Sequence, residues 1–172
     1  MEVIHHGGKH TVTGSCHELR DSGQAVLIDC GLFQGKEVQG RDSRPLDIDF
    51  ETSHLNALLL THTHIDHIGR LPWLLATGFN QPIYCTQATA ELAPLMIEDG
   101  LKLQGLSHKQ AKLILKKLHS LIVPKPYGEW FPIAAKQQNN GKDHSRPNTL
   151  YVRFQPAGHI LGSAYIEIKL PN

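Results

Sequence analysis

The sequence predicts an α/β fold of layers built on a mixed sheet, and three observations point there. Two short, largely apolar runs, Ala25–Asp29 and Leu55–Thr61, have the composition of buried strands. Two longer stretches, 87–104 and 107–120, carry apolar residues at helical spacing. Strands come first, then helices, then strands again, which a regular βαβ alternation does not produce.

Taken in order, residues 1–5, 11–19 and 24–30 read as short strands, separated by the turn signals Gly7-Gly8 and Ser22-Gly23. The third ends on Asp29 and so delivers a carboxylate at its C-terminal edge. Residues 32–53 are polar and unpatterned and read as a long loop, of the kind that often serves function. The strand Leu55–Thr61 runs directly into Thr61-His62-Thr63-His64-Ile65-Asp66-His67-Ile68-Gly69. Arg70–Thr77 is expected to be a short helix and Pro82–Cys85 a short strand. Ser107 is suited to cap the second long helix. Residues 124–148, rich in Pro, Gln, Asn and Gly, are expected to be loop. Two strands follow, Leu150–Gln155 and Ser163–Leu170, joined by Gly158-His159-Ile160-Leu161-Gly162.

A chain of 172 residues suffices for one domain with a sizeable core. Its 40% hydrophobic and 19% charged residues are those of a globular protein. No apolar run approaches the ~20 residues of a membrane span. The start, Met1-Glu2-Val3-Ile4-His5-His6, lacks the basic-then-apolar pattern of a signal peptide, so the expected location is cytoplasmic. Cys16, Cys30 and Cys85 form no Cys-x-x-Cys pair and are expected to be small buried hydrophobes. A net charge of +1 exerts no global pull on nucleic acid, so any such partner needs a local patch. Lys109, Lys112, Lys116 and Lys117, with Lys102 before them, form the one basic run. It reads first as a solvated face beside an apolar stripe of Leu113, Ile114, Leu118, Leu121 and Ile122, and second as a phosphate track. Tyr127, Trp130 and Phe131 could stack a base, though packing on the helices is the plainer role.

Chemistry concentrates in His62-x-His64-x-Asp66-His67. Four metal-competent side chains in six residues cannot share one face of a helix or strand, but they converge if the segment is a loop leaving a strand end. Two imidazoles plus a third histidine would make the open three-nitrogen site of catalytic zinc. Asp66 and His67 would then face a second metal ~3.5–4 Å away. A merely solvated His-rich loop fits poorly between a buried strand and Gly69. His159, among small residues that let the backbone approach closely, is the best third ligand. Asp29 is expected to orient the histidine loop by hydrogen bonding rather than to bind metal.

These residues resemble the metallo-β-lactamase superfamily, and more narrowly its β-CASP branch of RNA- and DNA-processing nucleases. The resemblance rests on Thr61–Pro72 and on Val12-Thr13-Gly14-Ser15-Cys16-His17. It rests also on Ile28-Asp29-Cys30-Gly31-Leu32-Phe33-Gln34-Gly35 and Ala157-Gly158-His159-Ile160-Leu161-Gly162-Ser163-Ala164. It implies an αββα sandwich with two zinc ions, His62, His64 and His159 on the first and Asp66 and His67 on the second. It implies hydrolysis of phosphodiester bonds, chiefly in RNA, with single-stranded DNA the other candidate, by a metal-bound hydroxide. Asp29 and Asp66 are the acids it places in the catalytic machinery. Ser15, His17 and Arg70 fall near the site without an assigned role.

The resemblance also implies parts that are not seen: a fourth-motif aspartate bridging the two metals, and the β-CASP domain. Residues 1–172 are accordingly expected to be the N-terminal part of a metallo-β-lactamase domain, binding at most one zinc tightly and hydrolysing poorly or not at all. The exposed sheet edge makes pairing with a second copy an expectation. Two other functions stay open: a hydrolase of the same fold acting on thioesters or small phosphodiesters, and a non-catalytic binding module.

Overall fold

The computed structural model describes residues 1–35, 46–133 and 149–171. Parts of the two expected loops, 32–53 and 124–148, lie outside the described residues. The first sheet takes β1 (Glu2–Gly7), β2 (Cys16–Asp21), β3 (Gln24–Ile28) and β4 (Ala57–Leu59) in spatial order. It continues with β5 (Ile83–Thr86) and β6 (Ile122–Lys125). β1 to β3 pair antiparallel and β3 to β6 parallel, so the sheet is mixed, as expected. The helices are α1 (Ile65–Ile68), α2 (Leu71–Ala76), α3 (Gln87–Leu103) and α4 (His108–Leu121). A second, antiparallel sheet contains β7 (Phe131–Pro132), β8 (Tyr151–Pro156) and β9 (Ala164–Lys169).

The continuous apolar runs are explained by burial on both faces. Leu27, Leu58, Ile83 and Cys85 face the helices, packing with Ile68, Leu71, Leu74, Ala93, Ile97 and Leu118. Their alternates Val26, Ala57, Leu59 and Tyr84 face the second sheet and its Phe131, Val152 and Phe154. The layers therefore run helix, sheet, sheet, and the expected fold class holds. Gln24 ties the sheets together: its amide nitrogen donates to the Ile133 carbonyl at 3.3 Å and its oxygen accepts from Leu150 N–H at 2.7 Å.

Four readings of the sequence need correction. The strand expected at 11–19 begins only at Cys16. Before it the chain turns through Gly8 and Gly14, both at positive φ, and the Thr11 hydroxyl accepts from Gly8 N–H and donates to the Thr13 carbonyl. Residues 122–125, partly assigned to loop, form β6; its Pro124 is tolerated because β6 is an edge strand. Phe131–Pro132, also assigned to loop, pairs with β8. Leu113, placed in the apolar stripe of α4, is 62% exposed, while Leu118 is buried.

Candidate metal centre

β3 and β4 end side by side, and the site grows from their ends. β3 stops because Asp29 turns into the left-handed region at φ 58°. Its buried carboxylate then accepts from Thr61 N–H at 2.9 Å, from the Thr61 hydroxyl at 2.9 Å and from the Ser15 hydroxyl at 3.2 Å. It also bonds His67 Nδ1 at 2.7 Å. Four groups from three segments thus meet on one carboxylate.

The histidine segment leaves β4 extended and closes into α1, a single helical turn rather than the expected loop. So short a turn is held from outside. The carbonyls of Ile65, Asp66 and His67 accept from the N–H groups of Leu32, Ser15 and Cys30 at 2.8–3.0 Å. The approach is close enough to require glycine: a Cβ on Gly31 would fall 1.6 Å from the Asp66 carbonyl oxygen. Arg70, fully buried, donates from Nε to the Gly31 carbonyl at 2.6 Å and lies over the Phe33 ring. This assigns Arg70 a positioning role that its sequence context did not disclose.

His159 arrives from the second sheet. Ser163 Oγ accepts from the N–H groups of His159 and Ile160 at 3.0 and 3.1 Å. The Gly162 carbonyl accepts from the hydroxyls of Thr86 and Thr89 at the start of α3. Gly162 has φ 83°, and a Cβ there would come within 2.7 Å of Thr89 N. Ala164 N–H donates to the Thr61 carbonyl at 2.8 Å, and the Tyr127 hydroxyl to the Ser163 carbonyl at 3.0 Å. The hydrogen-bonding roles of Thr61, Thr86, Thr89, Tyr127 and Ser163 escaped the sequence reading because a lone hydroxyl has no spacing signature.

The outcome is a convergence of imidazoles. His62 Nε2 lies 3.1 Å from His64 Nδ1, and His159 Nε2 lies 3.2 Å from that same atom. All three rings offer ligand atoms within 4.8 Å of one another. Tetrahedral zinc with nitrogens at 2.0–2.1 Å separates them by about 3.3 Å, so the donor set fits that ion. Burial first, then the neighbouring His67, pushes the His62 pKa down to about 4, which leaves that ring uncharged at neutral pH, as a metal ligand must be. Beside this group, His67 Nε2 and Asp66 Oδ2 stand 3.6 Å apart. Asp29 engages His67 through Nδ1, so Nε2 faces Asp66. His17, half-buried, has its pKa lowered by burial and then by His5, whose Nδ1 is 2.8 Å from its own. Of the aromatic candidates, Phe131 is buried in the second core, Trp130 lies under Arg153, and Tyr127 is committed to Ser163.

The family model described as the metallo-beta-lactamase superfamily matches residues 11–150. The chain belongs to the metallo-β-lactamase superfamily. It is 37% identical over 166 residues to Ribonuclease TTHA0252 of Thermus thermophilus, covering 96% of this chain and 34% of that protein. It is 31% identical over 167 residues to Endoribonuclease ysh-1 of Neurospora crassa, covering 95% of this chain and 18% of that protein. By name these relatives are a ribonuclease and an endoribonuclease, in keeping with the nuclease branch that the motifs resemble. The chain spans about a third or less of the length of the curated relatives it matches. A crystal structure of a protein of unknown function from Enterococcus faecalis V583 superposes with a TM-score of 0.55 at 17% identity, covering 98% of this chain and 40% of that one. That likeness is one of fold alone. Among the described residues no helix is long and apolar enough to cross a membrane.

Proposed function

We propose that this chain carries the histidine-rich part of a zinc-dependent nuclease centre whose substrate is RNA. The observation that carries the reading is the meeting of the His62 and His64 nitrogens with that of His159, 95 residues beyond His64. The ribonuclease relatives supply the substrate class. Zinc held there would supply Lewis-acid polarisation and an acidified water to a phosphodiester.

The chain's own groups divide the work. His62, His64 and His159 bind the first zinc, and His67 with Asp66 offers two ligands to a second. Three ligands outweigh two, so the first zinc is the tighter. Asp29 holds the Nδ1 proton of His67 and thereby fixes which nitrogen is left to ligate, as carboxylates beside metal-bound histidines do. The same reading takes residues 1–172 as the N-terminal part of such a domain, in keeping with the small share of each relative that it spans. Among the described residues the second metal would have His67 and Asp66 as its two ligands, and weak turnover by residues 1–172 alone is the expected consequence.

Incubating the zinc-loaded chain with 5′-labelled single-stranded RNA and DNA tests this. Slow cleavage of RNA is expected, abolished by chelator and by His62→Ala/His64→Ala. Cleavage that survives the double substitution, or RNA left uncut at every zinc level, would contradict it.

A further inference from the structure

α4 is chemically unlike the rest of the molecule. Across His108–Leu121 it carries Lys109, Lys112, Lys116 and Lys117 and no carboxylate, in a chain whose net charge is only +1. Helical geometry puts His108, Lys112, Lys116 and His119 on one exposed stripe. That stripe forms one wall of a groove of about 360 Å³, floored by Ala111 and Leu115, with Glu98 of α3 on the far side. Glu98 would repel an anion, but Lys102 pairs with it at 3.0 Å and holds that charge. Lys117 is engaged with Asn80. Among the described residues no carboxylate pairs with Lys109, Lys112 or Lys116.

We propose that this groove is a second nucleic-acid contact, a track for the phosphodiester backbone of single-stranded RNA away from the metal centre. The choice of RNA rests on the function proposed above; the cationic track rests on α4 alone. Residues four apart on a helix rise about 6 Å, a repeat on the scale of successive phosphates in a single strand. Flexible, unpaired lysines in such a row displace condensed counterions from a regular polyanion without reading its bases. The groove lies on the helical layer that also carries the metal loop. α3, which supplies Glu98 to the groove, also bonds the Gly162 carbonyl through Thr86 at its start and abuts Ile65 of α1 at Gly100, so one helix links the groove to the histidine site.

The test measures fluorescence anisotropy of a labelled single-stranded oligoribonucleotide over a range of NaCl, for the wild-type chain, Lys112→Gln/Lys116→Gln and His62→Ala/His64→Ala. Glutamine keeps helix propensity, and far-UV circular dichroism checks that the fold is retained. The lysine variant is expected to bind more weakly, with its log–log salt slope reduced by about 1.4, since each single-strand phosphate contact contributes about 0.7. The histidine variant should keep the wild-type slope. An unchanged slope in the lysine variant, or a wild-type chain that does not bind, overturns the track. Polyglutamate of similar charge binding with equal affinity overturns RNA as its occupant. Wild-type chain that binds through these lysines yet never cleaves would leave the track standing and refute the nuclease reading.

Discussion

Asp29 shows how one residue can organise a histidine cluster from behind, through Thr61, Ser15 and His67. A non-glycine residue at φ 58° carries strain of about 1–3 kcal/mol, which its four hydrogen bonds offset. Asparagine has the same shape, but its amide offers one accepting oxygen and no charge, so it cannot hold Thr61, Ser15 and His67 together. Asp29→Asn is therefore expected to weaken zinc binding 10–100-fold, measured by competition with a chromophoric chelator. Unchanged affinity would reduce Asp29 to a local cap. An acid at the end of an apolar strand was visible in the sequence, and so was the histidine cluster, because dense metal-competent residues at fixed spacing are rare by chance. Arg70 was not legible: an arginine is ordinarily exposed, and nothing local announced that this one is buried beneath Gly31.

Elements were legible where their own residues enforce them. α4 begins where Ser107 predicts, since Ser107 and Gln110 form a reciprocal capping box. β6 was hidden because Pro124 breaks most strands, and only its place at the sheet edge makes it tolerable. β2 supplies a prediction of its own. Its fully buried Glu18 accepts from Arg20 Nε at 2.5 Å and bonds His6 and His54. Burial alone would raise its pKa, but the bonds from Arg20, His6 and His54 outweigh burial and hold it at about 2. The stability this carboxylate contributes is present above its unfolded pKa of about 4.3 and is lost as the pH falls toward 2. Glu18→Gln should thus cost about 1–3 kcal/mol in urea unfolding at pH 7, and the gap to wild type should close between about pH 4.3 and 2. A gap independent of pH would mean that the charge does not matter.

At the scale of the whole molecule, the two-faced sheet explains why its separate parts form one site. One core joins the helices to β3, β4 and β5; the other joins those same strands to the second sheet. The histidine segment rides on the first core and His159 on the second, so the sheet sets the distance between them. The layering was readable from the order of strands and helices. The pairing of Phe131–Pro132 with β8 was not, because a two-residue strand has no periodicity to detect. The central claim is that His62, His64 and His159 hold one ion together, and zinc K-edge X-ray absorption of the zinc-loaded chain tests it most directly. Imidazole nitrogens at about 2.0–2.1 Å and no sulfur are expected, with the imidazole count falling from three to two in His159→Ala. Sulfur at about 2.3 Å, or an imidazole count unchanged by that substitution, would contradict it.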